Sequence, residues 1–165
     1  MRLATADDAR AIAEVHVASW RWAYRGHLPE STLEGLDVAE LEGQWRSILA
    51  EPARIVLVAT DRDDVVGFAH AAATDDDDAG EDVGQLYSLY LLHRAVGTGI
   101  GRALLERATE GMRDAGFATA RLWVLESNQR ARRFYERAGW SWEGTRSAHQ
   151  MQCANLPILR YSRRL

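Results

Sequence analysis

Three glycines at alternate positions, Gly97-Thr98-Gly99-Ile100-Gly101, followed by Arg102, carry the most specific chemical signal in this chain. They stand where an apolar run through Leu89, Tyr90, Leu91 and Leu92 gives way to a helical pattern, so a buried strand here hands over to the first turn of a helix. Glycine lets the backbone approach an anion with no Cβ in the way. The helix start adds unpaired N–H groups and the positive end of the helix dipole. Together these features make a phosphate cradle. All 20 basic residues are Arg, so the Lys of a Walker loop is missing and no lysine Schiff base can form. A dinucleotide fingerprint also fails, because Arg102 stands where its third glycine belongs.

The other reactive residue types are sparse. His16, His27, His70, His93 and His149 show no ligand spacing, so no metal is expected. Cys153 is the single cysteine, which forbids an intrachain disulfide and fits a reducing, cytoplasmic setting; we read it as a small apolar residue on a late strand. Neither Cys153 nor any Ser has the paired base that a covalent acyl intermediate needs. Trp20, Trp22 and Tyr24 place three aromatic rings within five residues, where some of them can hold an ammonium by cation–π contact.

These residues need a scaffold. The chain has 165 residues, 47% hydrophobic and 27% charged, which fits one domain over residues 1–165. Helical spacing predicts a first helix capped by Thr5 or Asp7 and ending near Gly26, then a loop over 28–35. A second helix is capped by Asp37 and runs to Leu49. Residues 54–59 and 65–71 read as an antiparallel hairpin, residues 75–82 as a solvated acidic loop, and residues 83–92 as a central strand. A helix from Ile100 closed by Gly116 follows, then a strand over 117–125, a helix over 128–138 and antiparallel strands over 140–145 and 158–165. The order predicts an α/β fold: a central mixed sheet with a strand–helix–strand crossover and helices on both faces.

The glycine turn resembles the acyl-CoA loop, Gln/Arg-x-x-Gly-x-Gly/Ala, of the GNAT superfamily of N-acyltransferases. Arg94 to Gly99 matches it literally; Val96 to Gly101 keeps the usual distance from strand to helix and is preferred, with Val96 replacing the polar first residue. Independently, residues 122–140 resemble that family's strand–Asn–helix–Tyr–Gly–aromatic segment, with Asn128 and Tyr135 seven residues apart. The resemblance spans essentially the whole chain. It implies that Leu89, Tyr90 and Leu91 offer backbone groups to pantetheine as an added strand would. It further implies that Val96, Gly97, Thr98, Gly99, Ile100, Gly101 and Arg102 hold the pyrophosphate and that Asn128 contacts the pantetheine arm. Tyr135 then becomes the general acid, and a phenol protonated at neutral pH suits a departing thiolate. Arg102, Arg130, Arg132 and Arg133 are candidates for the 3′-phosphate.

The implied activity is N-acetyl transfer from acetyl-CoA to a primary amine by direct attack; the alternative is a non-catalytic acyl-CoA-binding regulatory module on the same fold. A dinucleotide-binding oxidoreductase domain is a more distant rival. Where some relatives carry a base Glu on the central strand, this chain has Gln85, which leaves the base to a water held by Glu126, Glu81 or His70, or to an amine arriving neutral. Residues 1–82 hold 18 acidic residues against 7 Arg, net −11, and residues 83–165 hold 6 against 13, net +7. The basic half contains the CoA motifs, and the acidic half suggests a cationic acceptor. A net charge of −4 speaks against nucleic acid as partner, and no apolar run is long enough for a membrane. Edge strands together with Trp140 and Trp142 suggest a homodimer.

Overall fold

The computed structural model describes residues 1–151 and 154–165; Cys153, read above as lying on a late strand, falls outside the described residues. Seven strands form one sheet in the order β1-β2-β3-β4-β5-β7-β6, made of β1 (Arg2–Leu3), β2 (Ile55–Asp61), β3 (Asp64–Ala73), β4 (Val83–Leu91), β5 (Thr119–Leu125), β6 (Ser141–Met151) and β7 (Ala154–Arg164). All neighbours pair antiparallel except β4 and β5. That parallel pair is joined by the crossover helix α4 (Ile100–Asp114), as the sequence predicts.

Period-two alternation sorts β2 between two cores. Val56 and Val58 face helices α1 (Ala9–Ala23) and α3 (Val38–Leu49), where they meet Ile12, Ala13, Val15, Trp45 and Phe68. Leu57 and Ala59 face the opposite way, toward Leu104, Leu105, Ala108 and Met112 on α4. Helices therefore cover both faces, and each fully buried Leu, Ile or Phe contributes roughly 1.5–3 kcal/mol. Asp37 caps α3 through the Ala39 N–H as expected, and Thr5 starts a 3-10 turn, Ala6–Asp8, that runs into α1.

Four features depart from the sequence reading. Strand β1 is two residues long, and α2 (Glu30–Glu34) fills the expected 28–35 loop with a single turn after Pro29; both are too short to leave a periodic pattern. Strands β6 and β7 extend well past 140–145 and 158–165. A bulge between Trp142 and Arg146 and the presence of Pro157 break the expected alternation, and Pro157 is tolerated because it sits just past the end of the β5–β7 ladder. Trp140 is not a surface residue: only 2% of it is exposed, and it packs in the α4-side core beside Ala138 and Tyr161. Trp142, 53% exposed, is the one of the pair that faces outward.

Candidate active site

The site begins as a defect in the sheet. Strands β4 and β5 pair from Val83–Thr119 only as far as Leu86–Leu122. The β3–β4 register then slips, with His70 opposite Ser88 and Ala71 opposite Leu86, so Tyr87 is the extra residue of a bulge. Past that point β5 keeps pairing with β7 through Leu125 while β4 follows β3 to Leu91. The two parallel strands splay apart. Backbone groups of residues 87–91 on the β5 side are left without a strand partner, and a cavity of about 1200 Å³ opens along them. Leu89, Tyr90 and Leu91 all line it.

At the end of β4 the chain makes a 3-10 turn (His93–Ala95) and enters the glycine loop. Gly97 and Gly99 adopt φ of +84° and +91°, where side-chain-bearing residues are strained, and Gly99 is the N-cap of α4. A glycine cap offers no side chain, so the N–H groups of the first turn remain for a ligand. Gly101 serves differently: a Cβ there would meet Leu91 Cδ1 at 3.2 Å, so it lets α4 start close against β4. Val96, Gly97, Gly99, Gly101 and Arg102 line the cavity. Thr98 and Ile100 are not among its lining residues. Thr98 Oγ1 donates to Ala95 O at 2.7 Å and Ile100 packs on the α4-side core. Their remaining contribution is main-chain N–H. Arg94 points elsewhere, 3.5 Å from Asp64.

The opposite wall is the start of α5 (Gln129–Arg137). Asn128 caps it, its side chain accepting from Ala131 N at 3.0 Å, and also lines the cavity. Tyr135, two turns on, lines it as well, wedged against Phe134 and Trp140. Burial and the nearby Tyr24 phenol push the Tyr135 hydroxyl well above the usual tyrosine range, which keeps it protonated at neutral pH. Of the four arginines on this helix, Arg130 and Arg137 reach the cavity. Arg132 is drawn off to Tyr161 Oη and Glu126 O, and Arg133 to Gln129. Arg102 is held by Glu106 and by Arg137 O.

The third wall is α1. His16, Trp20, Trp22 and Tyr24 all line the cavity. His16 stacks on Tyr90 at 5.1 Å between centroids, and Trp20 meets Tyr24 edge-on at 5.1 Å. His16 Nδ1 accepts from Trp45 Nε1 at 3.3 Å, and burial lowers its pKa to about 4, so it is a neutral ring with its other nitrogen protonated. Trp20 Nε1 is buried without a hydrogen-bond partner. Burial also raises the Tyr24 and Tyr90 phenols. The inner cavity is therefore aromatic and uncharged, with hydroxyl and N–H groups at its edges.

None of the three side chains expected to hold a base water lines this space. His70 is buried beneath Tyr87 with its pKa lowered to about 4 chiefly by burial, Glu126 is paired with Arg146, and Glu81 lies in the loop before β4. Gln85 does line it, its Oε1 accepting from Thr74 Oγ1 at 2.8 Å.

The acidic segment also differs from a free solvated loop. Arg160 on β7, with a side chain 8% exposed, donates to Glu143 at 2.6 Å and to Asp76 and Asp78, while Arg121 reaches Asp78 at 3.0 Å. Trp123 Nε1 donates to Asp76 at 3.1 Å, and Tyr87 Oη donates to Asp75 at 2.8 Å. Arg160 holds the Asp78 carboxyl down at a pKa of about 2. This strap fixes Asp76, Tyr87 and Trp123 as one flank of the cavity. Sequence reasoning missed His16, His27, Asp76, Tyr87, Trp123 and Ser127 as lining residues. Their partners are far along the chain, and no local spacing marks them.

Among the described residues there is no group of three or more His, Cys, Asp or Glu placed to hold a metal ion, and no helix is long and apolar enough to cross a membrane. The sequence profile of the acetyltransferase (GNAT) family matches residues 12–140. An uncharacterized N-acetyltransferase of Bacillus subtilis (strain 168), YuaI, is 37% identical over 129 residues, covering 78% of this chain and 72% of that protein. Among solved structures, the PaiA N-acetyltransferase of Thermoplasma acidophilum in complex with coenzyme A superposes with a TM-score of 0.77 at 21% identity, over 99% of this chain and 97% of the other. The ribosomal-protein-alanine N-acetyltransferase of Brucella melitensis superposes with a TM-score of 0.79 at 23% identity, over 99% and 98%.

Proposed function

The chain belongs to the GNAT family of acetyltransferases and is an acyltransferase, and from that premise we propose that it moves an acetyl group from acetyl-CoA to a primary amine by direct attack. The observation that carries this reading is the convergence on one cavity of splayed β4, a glycine turn with free N–H groups, and Tyr135. The residues fit acetyl-CoA, which supplies a thioester carbonyl already activated for acyl transfer. Main-chain groups of Leu89, Tyr90 and Leu91 extend the sheet toward the pantetheine arm. The N–H groups of residues 97–102 receive the pyrophosphate, and Asn128 borders the arm from the other wall.

Tyr135 Oη holds the proton that the departing sulfur takes up. Its raised pKa keeps that proton in place across the working pH range, and its burial keeps water from competing. The aromatic wall of Trp20, Tyr24 and Tyr90 receives the acceptor, whose ammonium is favoured by ring faces rather than by free carboxylates, since Asp76 is already paired. The basic half of the chain favours the polyphosphate; the acidic half retains a net negative field for a cationic amine. An exposed edge strand, β6, carrying Trp142 fits pairing with a second copy, and a cytoplasmic setting and a single domain over residues 1–165 complete the reading.

A panel of amines (putrescine, tyramine, free amino acids, an aminoglycoside and an alanyl peptide) incubated with acetyl-CoA and a thiol reagent tests it. Release of thiol that depends on one amine class, with an acetylated product by mass, is expected; binding of coenzyme A with no amine-dependent release overturns it.

A further inference from the structure

Direct attack by an amine requires that its ammonium first lose a proton, and the cavity holds few groups able to take one. Among the described lining residues the candidates are His16, His27 and Asp76. His16 has its one acceptor nitrogen filled by the Trp45 indole, and Asp76 is saturated by Trp123 and Arg160. The lining phenols already carry their protons. His27 is different. It sits in the turn after α1, where Gly26 takes φ +80° and the His27 N–H bonds back to Tyr24 O at 2.9 Å, so the ring is carried by a tight, backbone-fixed corner. Its Nδ1 lies 3.0 Å from Ser127 Oγ, across the cavity and 100 residues along the chain.

We propose that His27 is the general base of the acetyl transfer, oriented by Ser127. With Nδ1–H donated to Ser127 Oγ, the lone pair rests on Nε2. That nitrogen takes one proton from the acceptor ammonium: the N–H bond breaks, its electron pair stays on the amine as the nucleophile, and the imidazolium passes the proton to solvent. His27 is exposed at the cavity mouth, which gives that proton an exit. Ionisable groups along the two contacting segments are Tyr24 and Arg25 on its own turn. Across the cleft stand Glu126, already paired with Arg146, and Arg130, whose guanidinium lies 4.9 Å over the Trp22 ring. The role supplies what Gln85 on β4 cannot, and it rests on the amine-acetylating reading above.

The test is the pH dependence of kcat/KM for H27Q and S127A with the best amine of the panel and acetyl-CoA. For H27Q, turnover at pH 7 is expected to fall about 100-fold and to climb back toward wild type above about pH 9.5, where the amine arrives neutral. Imidazole added to H27Q restores part of the rate, and coenzyme A affinity by calorimetry is unchanged. S127A loses about fivefold to tenfold in kcat and keeps the wild-type profile shape. An H27Q enzyme with the wild-type rate and pH profile overturns the assignment while leaving amine acetylation intact, as does a loss at pH 7 that neither alkali nor imidazole relieves. A wild-type protein inactive toward every amine removes both.

Discussion

Replacing Gly99 by Ala separates the two demands made on the glycine turn. Gly99 lies at φ +91°, and a Cβ built there meets nothing within 4 Å, so the substitution is strained in its backbone and unopposed by neighbouring atoms. The strain of a left-handed alanine is about 1 kcal/mol. Gly116, just past the end of α4, has φ +94° and equally open surroundings, so Gly116→Ala bears the same strain away from the cavity. The two variants should therefore lose similar stability, a few degrees in Tm for a chain of this size. Their binding should differ. Gly99 lines the cavity, and a methyl group there stands where a phosphate approaches the first-turn N–H groups. Weakening one or two charge-assisted hydrogen bonds of about 1.5–3 kcal/mol each amounts to about 100-fold in Kd. Thermal melts and calorimetric titration with coenzyme A on both variants give the comparison. Equal stability with binding lost only in Gly99→Ala supports the phosphate turn; a Gly99→Ala protein that binds coenzyme A like Gly116→Ala refutes it.

Three further outcomes follow from the side-chain geometry. Tyr135→Phe should lower kcat by one to three decades with coenzyme A affinity nearly unchanged, and the wild-type rate should show no loss attributable to Tyr135 ionisation below about pH 10, because burial raises that phenol. Arg160→Met removes one of the two cations, the other being Arg121, that Asp76, Asp78 and Glu143 share; urea unfolding should show about 2 kcal/mol lost. Asp8 is held at a pKa of about 2, first by its hydrogen bonds from Arg2, against 3.8 when unperturbed, so its contribution is complete above about pH 4 and disappears as pH falls toward 2. Asp8→Asn should accordingly be about 2 kcal/mol less stable at pH 6 and converge on wild type near pH 2 in denaturant titrations.

What the sequence revealed was local. The α4 stripe, the Asp37 cap and the glycine turn each announce themselves within a single element, because helix periods and capping are short-range. The cavity walls are long-range. The bulge that ejects Tyr87 from the β3–β4 register, the His27–Ser127 contact, and the Arg160 clamp on Asp76 and Asp78 join residues 15 to 100 positions apart. Charge composition misled in one place for the same reason. Residues 75–78 look like a free anionic loop until β7 and β5 bring Arg160 and Arg121 beneath them. Trp140 likewise reads as surplus surface aromatic until α5 and the sheet close around it.

Initial velocities measured while acetyl-CoA and the best amine are both varied, with the acceptor's mass followed over the same period, test the proposed chemistry most directly. Direct attack within one cavity predicts intersecting double-reciprocal lines and acetyl appearing on the amine with none retained by the protein. Parallel lines, or an acetylated protein formed before any amine is added, contradict it.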